Sequence, residues 1–318
     1  MRLPASRSGQ AVSMTIVGNL NIDLMMHGFR DLPAWGQERF GTGRLAVTAG
    51  QAGYMAMAAA SLAARRDAVR VVGVVGDDAD GAQIRADLDA AGVDCRSVRT
   101  VPGSTGLTVA VIREDGERAF VSDSGVSRAL TADTIRDEWA TIAESPVVAV
   151  VGVFNTPGLV LADVEALLRD ARRGGGFTVF DPGWDAEGWP AATRSDVLAI
   201  LSEVDLFLPN EDEARALTGC DDVEEALRVL DRSCSGLVVV KRGALGSIAF
   251  DDDRVIAVPA TPVTEPNAVG AGDVFDAALV TALQSGLALE AAMTFAGGAA
   301  AFYVSRTSDR YPLPADLV

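Results

Sequence analysis

Short, uninterrupted runs of β-branched residues constrain the fold of this chain more than any other feature. They lie at 15–18, 70–75, 147–151, 177–180 and 237–240. Because polar residues do not alternate within them, these runs predict strands buried on both faces, as in a parallel sheet. Ala- and Leu-rich stretches with helical spacing separate them, at 54–66, 81–91, 159–173 and 211–217. This alternation predicts an α/β fold, a three-layer α/β/α sandwich around a mostly parallel central sheet.

Two other segments, 24–48 and 105–122, have a different pattern. They alternate polar and apolar residues and are broken by glycines. Strands with one polar face indicate a small antiparallel sheet that stands off the main body, and the second segment predicts a hairpin that turns at Asp115-Gly116. Above a ligand cleft such a sheet would act as a lid.

Composition narrows the function classes. The 318 residues are 49% hydrophobic, and we expect 14–318 to form one domain. The small, polar residues 1–13 are expected to be a flexible N-terminal extension.

A net charge of −17, from 44 acidic and 27 basic residues, argues against a nucleic-acid partner. No apolar run reaches the roughly 18 residues of a membrane span, so the sequence predicts a cytoplasmic protein without a membrane partner.

The segment Asn267-Ala-Val-Gly-Ala-Gly-Asp273 carries the strongest chemical signal. It precedes a predicted helix, so Gly270, Ala271 and Gly272 would present unpaired backbone N–H groups at a helix N-terminus, which favours an anion. Asp273 would stand beside that turn, as a base for an acceptor hydroxyl would stand beside a transferring phosphoryl group. The alternative is structural, because an Asp in a first helical turn also stabilises the helix dipole.

With these motifs, the chain resembles the PfkB, or ribokinase-like, carbohydrate kinase family from about Ile16 to the C-terminus. The resemblance implies the ribokinase-like fold and transfer of the ATP γ-phosphoryl to a hydroxyl of a sugar or sugar-like molecule. It implies that Asp273 is the general base and that Gly270, Ala271 and Gly272 form the anion hole. Exposed lid strands would also gain from pairing, and family members often dimerise through the lid.

The resemblance also implies a nucleotide site that binds ATP and Mg²⁺. Asn210-Glu-Asp-Glu213 is similar to the family motif N-x-x-E, in which Asn210 would approach the phosphates and Glu213 would organise Mg²⁺. Lys241, Gly243 and Gly246 resemble the nucleotide-binding turn, with Lys241 able to reach a phosphate. The structural alternatives are an N-cap at Asn210 and an ordinary turn with a solvated lysine.

The acceptor side is expected near the end of the first strand. By resemblance, Asp23 would accept hydrogen bonds from acceptor hydroxyls, with Asn21 beside it; the structural alternative is a loop-capping Asp. Gly50, Gln51 and Tyr54 lie in a segment that matches the family's G-G-x-x-x-N motif.

The chain departs from the family pattern at several binding positions. Tyr54 replaces the usual Asn, Gln51 stands where ribokinases often have Lys, and Asn155 stands where they often have Glu. Asn267 belongs to an N-x-V variant found in phosphosugar kinases, and the missing Asp argues against a monovalent-cation site. Gly297 replaces a larger residue near the expected adenine site.

These departures leave two alternatives to a sugar kinase. A nucleoside kinase of the same family would use Tyr54 to stack on a base. A silent sensor would bind a sugar or nucleotide without turnover, although Asp273, Asn210 and Glu213 are all retained.

Overall fold

A computed structural model describes residues 13–115, 117–251, 254–263, 269–305 and 310–317. The strands are β1 (Met14–Gly18), β2 (Asn21–Phe29), β3 (Gly43–Ala49), β4 (Val69–Gly76), β5 (Val98–Val101), β6 (Gly106–Arg113), β7 (Arg118–Asp123), β8 (Val147–Val151), β9 (Phe177–Asp181), β10 (Leu206–Phe207), β11 (Leu237–Lys241), β12 (Ser247–Asp251) and β13 (Arg254–Val258). The helices are α1 (Gln51–Leu62), α2 (Ala79–Ala91), α3 (Ala132–Asp137), α4 (Trp139–Ala143), α5 (Leu161–Arg173), α6 (Ala191–Ile200), α7 (Glu211–Thr218), α8 (Val223–Ser233), α9 (Ala271–Gln284) and α10 (Leu289–Val304).

The central sheet has the order β13-β12-β11-β10-β9-β8-β1-β4-β5. From β11 to β5 every neighbouring pair is parallel, whereas β12 and β13 pair antiparallel at one edge. The predicted mostly parallel sheet is therefore confirmed.

Helices cover both faces of this sheet. In β11, Val239 packs in the core that includes α1, α2, α9 and α10, whereas Val238 and Val240 pack in the core that includes α5 to α8. Successive side chains of one strand thus enter two different cores, which is why the strand sequences lack polar alternation. The arrangement confirms the three-layer sandwich.

The second sheet has the order β3-β2-β6-β7 and occupies the two segments expected to form a lid. The hairpins β2–β3 and β6–β7 are antiparallel, as expected, and a parallel β2–β6 pair joins them. Parallel pairing is possible there because a long connection, from β3 through β5, lies between the two strands. Asp115 lies in the predicted turn, and Gly116 is outside the described residues.

The N-terminal end of the described chain is anchored beside β1. The Ser13 N–H donates to the Ala68 carbonyl at 2.7 Å, and the Gln284 amide donates to the Ser13 carbonyl at 3.1 Å. The rest of the predicted extension, 1–12, lies outside the described residues. None of the described helices combines the length and apolar character needed to cross a bilayer.

The turn between β11 and β12 generates a stability prediction. Gly246 has φ 91°, and a Cβ there would lie 1.9 Å from the Val258 carbonyl oxygen. We expect Gly246→Ala to lower the free energy of unfolding by about 2–4 kcal/mol, measured by urea denaturation. Gly243 also has positive φ but no heavy atom within 4 Å of its Cβ position. Gly243→Ala should therefore lose only about 1 kcal/mol, and equal losses in both variants would contradict this account of the turn.

Candidate active site

The ends of several parallel strands meet at one edge of the central sheet. Gly18 at the end of β1 lies opposite Val151 of β8, which lies opposite Asp181 of β9. Further along the edge, Asn210 forms a bridge with Lys241 at the end of β11. Open α/β sheets bind ligands at this carboxyl edge, and most of the predicted site residues lie on or near it.

A line of hydrogen bonds holds Asp23 near the start of β2. Asn19 Nδ2 donates to Asn21 Oδ1 at 3.0 Å, and Asn21 Nδ2 donates to Asp23 Oδ1 at 2.8 Å. The Tyr54 hydroxyl donates to Asp23 Oδ2 at 2.7 Å. Burial raises the pKa of Asp23 to about 6, although the bonds from Tyr54 and Asn21 oppose the rise. Three predicted acceptor-side residues are therefore in direct contact.

Tyr54 also packs against the turn that precedes Asp273. Gly270 is the N-cap of α9 with φ 77°, and a Cβ there would lie 2.8 Å from Tyr54 Cδ1. Glycine thus satisfies both the left-handed backbone and the close approach of the ring. The ring meets Tyr303 edge-on, with centroids 6.3 Å apart. Through Tyr54, the Asp23 end of the site is packed against the helix that carries Asp273.

Asp273 is the third residue of α9 and is half-buried. The Val274 N–H donates to the Gly270 carbonyl, so the N–H groups of Ala271 and Gly272 precede the helical hydrogen-bond pattern. Burial raises the pKa of Asp273 well above its usual range, and the charges of Asp181 and Asp23 add to the rise. Lys241 and a hydrogen bond from the Gln51 side chain oppose it. A carboxyl with a raised pKa, beside amides that precede the helical hydrogen-bond pattern, is suited to proton transfer next to an anion.

Asn210 and Glu213 form a reciprocal capping box at the start of α7. The Glu213 N–H donates to Asn210 Oδ1 at 2.9 Å, and the Asn210 N–H donates to Glu213 Oε2 at 2.8 Å. The N-cap role is thus present, and it leaves the Asn210 amide nitrogen and Glu213 Oε1 outside the box. Burial, with a contribution from Asp181, raises the pKa of Glu213 to about 8.

The carboxylates near Glu213 suit a Mg²⁺ ion that is bound together with nucleotide phosphates. Among the described residues, they do not form a metal site made of protein ligands alone. Within the described ranges, no group of three or more His, Cys, Asp or Glu side chains is arranged to hold a metal. Mg²⁺ commonly takes one or two carboxylates and completes its shell with phosphate and water, and Glu213 Oε1, outside the capping box, would be such a carboxylate oxygen.

Lys241 makes different contacts from those expected. Its Nζ atom lies 2.7 Å from Asp181 Oδ2 and 2.8 Å from Asp276 Oδ2, and its side chain is 12% exposed. The ammonium is therefore paired with two carboxyls and is not the solvated lysine of the structural alternative. The sequence did not reveal these partners because they come from distant elements, β9 and α9.

The remaining predicted residues are distributed around this edge. Gly50 is the N-cap of α1 with φ 83°, and a Cβ there would lie 2.3 Å from the Asn19 carbonyl oxygen. Gln51 begins α1 and places its Oε1 atom against Gly183 and Gly152. The Gln51 side chain thus lies between the ends of β8 and β9 and Asp273.

Four predicted residues are less closely tied to this group. Asn155 is exposed in a short 3₁₀ turn after β8. Gly243 and Gly246 flank the turn after β11, and Gly297, in α10, has open space at its Cβ position. Asn267 lies outside the described residues.

The structure adds three polar residues that the motifs did not indicate: Asn19, Asp181 and Asp276. Asp276 lies among the apolar residues of α9 and is 1% exposed, so a lone acidic residue within that buried face was a usable signal. The sequence signal for Asp181 was weaker, namely its position directly after a predicted strand.

Comparison with known proteins assigns the family. The family model described as "pfkB family carbohydrate kinase" matches residues 44–316. A ribokinase from Haemophilus influenzae is 27% identical over 311 residues, covering 95% of each chain. A cytidine kinase from Thermococcus kodakarensis is 28% identical over 202 residues, covering 62% of this chain and 68% of its own. The chain belongs to the pfkB family and has the enzyme class of that family, an ATP-dependent carbohydrate kinase.

Solved structures agree with the fold. Arabidopsis thaliana ribokinase complexed with ribose and ATP superposes with a TM-score of 0.77 at 23% identity, covering 96% of this chain and 95% of its own. A putative ribokinase II from E. coli, in complex with ATP and Mg²⁺, gives a TM-score of 0.78 at 22% identity and covers 96% of each chain. These likenesses establish the ribokinase-like fold.

The buried position of Asp23 predicts a stability effect that depends on pH. Because folding raises its pKa from 3.8 to about 6, the folded state holds the proton more tightly, and stability falls as pH rises through that interval. Asp23→Asn removes this charge, so we expect its free energy of unfolding relative to wild type to rise by about 2–3 kcal/mol between pH 4 and pH 7. This rise comes on top of a loss that does not depend on pH, because the amide nitrogen cannot accept the bond from Asn21 or Tyr54. Urea denaturation should show this rise and its absence below pH 4, where the wild-type carboxyl is largely protonated. A difference between the two proteins that does not change with pH would rule out the charge as its cause.

Proposed function

We propose that the protein transfers the γ-phosphoryl group of Mg·ATP to a hydroxyl of a sugar or sugar-like small molecule. The observation that carries the proposal is the position of Asp273 in the first turn of α9, beside amides that precede the helical hydrogen-bond pattern and linked through Gly270 and Tyr54 to Asp23. This arrangement provides a base, an anion-binding turn and an acceptor-binding carboxylate in one connected group.

In this mechanism Asp273 accepts the proton of the acceptor hydroxyl as the oxygen attacks the γ-phosphorus. The amides of Gly270, Ala271 and Gly272 bind the phosphoryl oxygens on which charge develops. The hydrogen bond from Gln51 orients the Asp273 carboxylate. Mg²⁺ supplies charge neutralisation on the phosphates when bound, and Glu213, with Asn210 at the same helix N-terminus, would hold it on the nucleotide side.

The nucleotide is proposed to lie over the turn after β11. Gly243 leaves open space at the start of that turn, Gly246 ends it, and Gly297 leaves open space at α10. Asn267, which the sequence predicts to bind the nucleotide, lies outside the described residues. The lid sheet would close over the acceptor and exclude water, which would otherwise compete for the phosphoryl group.

Tyr54 is the observation that favours a second candidate, a nucleoside kinase. A phenol at this position offers an aromatic ring where an amide would offer hydrogen bonds to vicinal hydroxyls. Its ring is 3% exposed, however, and is already packed against Gly270 and Tyr303, so little of its face is open for stacking. The contacts of Tyr54 therefore support the sugar kinase more than the nucleoside kinase. A silent sensor is the third candidate, and turnover would exclude it.

Asp273→Asn tests the proposed base. We expect kcat to fall about 10²–10⁴-fold, because the amide cannot accept the proton, while affinity for Mg·ATP changes by no more than about threefold. ADP release would be measured over a panel of sugars, phosphosugars and nucleosides, which also identifies the acceptor class.

Asp80→Asn is the matched control for this variant. Asp80 also lies in the first turn of a helix, α2, but it is exposed, whereas Asp273 is half-buried. If both variants lost the same small fraction of activity, Asp273 would be a helix-dipole partner and not the base.

We also propose that residues 14–318 act as one cytoplasmic kinase domain that dimerises through the lid. Large apolar side chains are exposed on and beside the lid sheet: Trp35, Phe40, Phe120 and Val121. Val121 lies on β7, an edge strand of that sheet, and is 69% exposed. Unpaired edges with apolar side chains are stabilised when a second copy covers them.

The dimer prediction is tested by Val121→Lys. We expect wild-type protein to sediment as a dimer and the variant as a monomer, because a charge would be buried in the lid interface. Val160→Lys is the control, because it changes another exposed valine, 57% exposed, at the N-cap of α5 on the main body. A monomeric wild-type protein, or dissociation by both variants alike, would contradict the lid interface.

A further inference from the structure

A buried ion cluster lies directly behind the first turn of α9. It consists of Lys241, Asp181 and Asp276, whose Nζ to Oδ2 distances are 2.7 and 2.8 Å. The side chains are 12%, 4% and 1% exposed, and they belong to β11, β9 and α9. A buried ammonium is strongly destabilising unless carboxylates pair with it, so the cluster holds three separate elements in one arrangement.

The same ammonium adjoins the turn proposed to bind the phosphoryl group. A Cβ on Gly272 would lie 3.5 Å from Lys241 Nζ. Asp276, to which the ammonium is bound, follows Asp273 by three residues and lies about one helical turn further along α9. Of the three charged groups in the cluster, the ammonium is the one that lies within 4 Å of this Cβ position, so its positive charge is the nearest to the backbone of the turn and adds to the field of the helix N-terminus.

Several acidic groups surround Lys241. Its charge acts on Asp181, Asp276, Glu213 and Asp273. Among the described residues, Asp276 Oδ1 has no hydrogen-bond partner, so this carboxyl depends on its other oxygen. Lys241 is the sole lysine in the sequence. If Nζ moved out to a phosphate, two buried carboxyl groups would lose their cation.

We propose that Lys241 is a positioning residue, which supplies a fixed positive charge behind the phosphoryl-binding turn and does not contact the nucleotide. This inference rests on the proposed kinase function, and it replaces the direct phosphate contact expected from the sequence. A charge held at a fixed distance favours negative charge that develops on the transferred group, and it needs no rearrangement during the reaction. It therefore acts on the rate more than on ATP affinity.

Lys241→Met tests the position of the charge. We expect kcat to fall about 10–100-fold while KM for ATP and the Kd for a non-hydrolysable Mg·ATP analogue stay within about threefold. If Lys241 contacted a phosphate directly, its removal would weaken analogue binding by more than about tenfold. That result would overturn the proposal. Unchanged kcat would overturn it as well.

A second variant separates the charge from the stability of the cluster. Lys241→Met/Asp181→Asn removes both members of the closest pair, and the asparagine can still accept the Gly183 N–H bond that Asp181 Oδ1 accepts at 3.0 Å. We expect its Tm to lie above that of Lys241→Met, because no unpaired carboxylate remains at residue 181, while kcat stays at least about tenfold below wild type. Recovery of kcat to the wild-type value would show that Lys241 only balances a buried charge. Adding Asp276→Asn to this variant also removes the second carboxyl that pairs with Lys241, and this triple variant is the test protein if Lys241→Met alone does not fold.

The outcome for Lys241 is separable from the outcome for the kinase function. If wild-type protein releases ADP with an acceptor and Asp273→Asn does not, the proposed function stands whatever the Lys241 variants show. If wild-type protein phosphorylates nothing in the panel, the function fails, and analogue binding by Lys241→Met still decides whether Lys241 contacts the nucleotide.

Discussion

The parallel pairing of β1, β8 and β9 is the constraint on which the candidate site depends. It brings the ends of these strands to one edge of the sheet, with Gly18, Val151 and Asp181 in register. A shift of β9 by one residue would turn Asp181 to the opposite face and away from Lys241. The helices that begin near this edge then supply Gln51, Glu213 and Asp273, so topology assembles groups that are far apart in the sequence.

Burying the ionisable groups of this site is energetically unfavourable. Burial raises the pKa of Asp23 to about 6 and that of Glu213 to about 8, and it raises the pKa of Asp273 well above its usual range. Each raised pKa means that the ionised form of the group is less stable in the folded protein than in water. Apolar cores on both faces of the sheet offset this cost, and they keep the side chains at the edge in fixed positions.

Local patterns were sufficient to predict most of the central sheet. The run at 147–151 became β8 without change, because a strand buried on both faces leaves a continuous apolar signal. Strand β10, Leu206–Phe207, is too short to leave such a signal, although the Leu208 N–H still donates to the Phe180 carbonyl and the Pro209 carbonyl accepts from the Lys241 N–H. Helices α6, α8 and α10 were not predicted individually, and the parallel pairing of β2 with β6 required knowledge of how the two hairpins meet.

The sequence by itself determined the turn at Gly270 and the place of Asp273 on the helix that follows, because helix starts and glycine turns are properties of neighbouring residues. Tertiary structure decided what these groups contact. Lys241 is bound to carboxyls 60 and 35 residues away, and Tyr54 donates to Asp23 across 31 residues. No local pattern encodes such pairs, because each depends on strand order, register and the packing of two different elements, and only the folded chain brings those together.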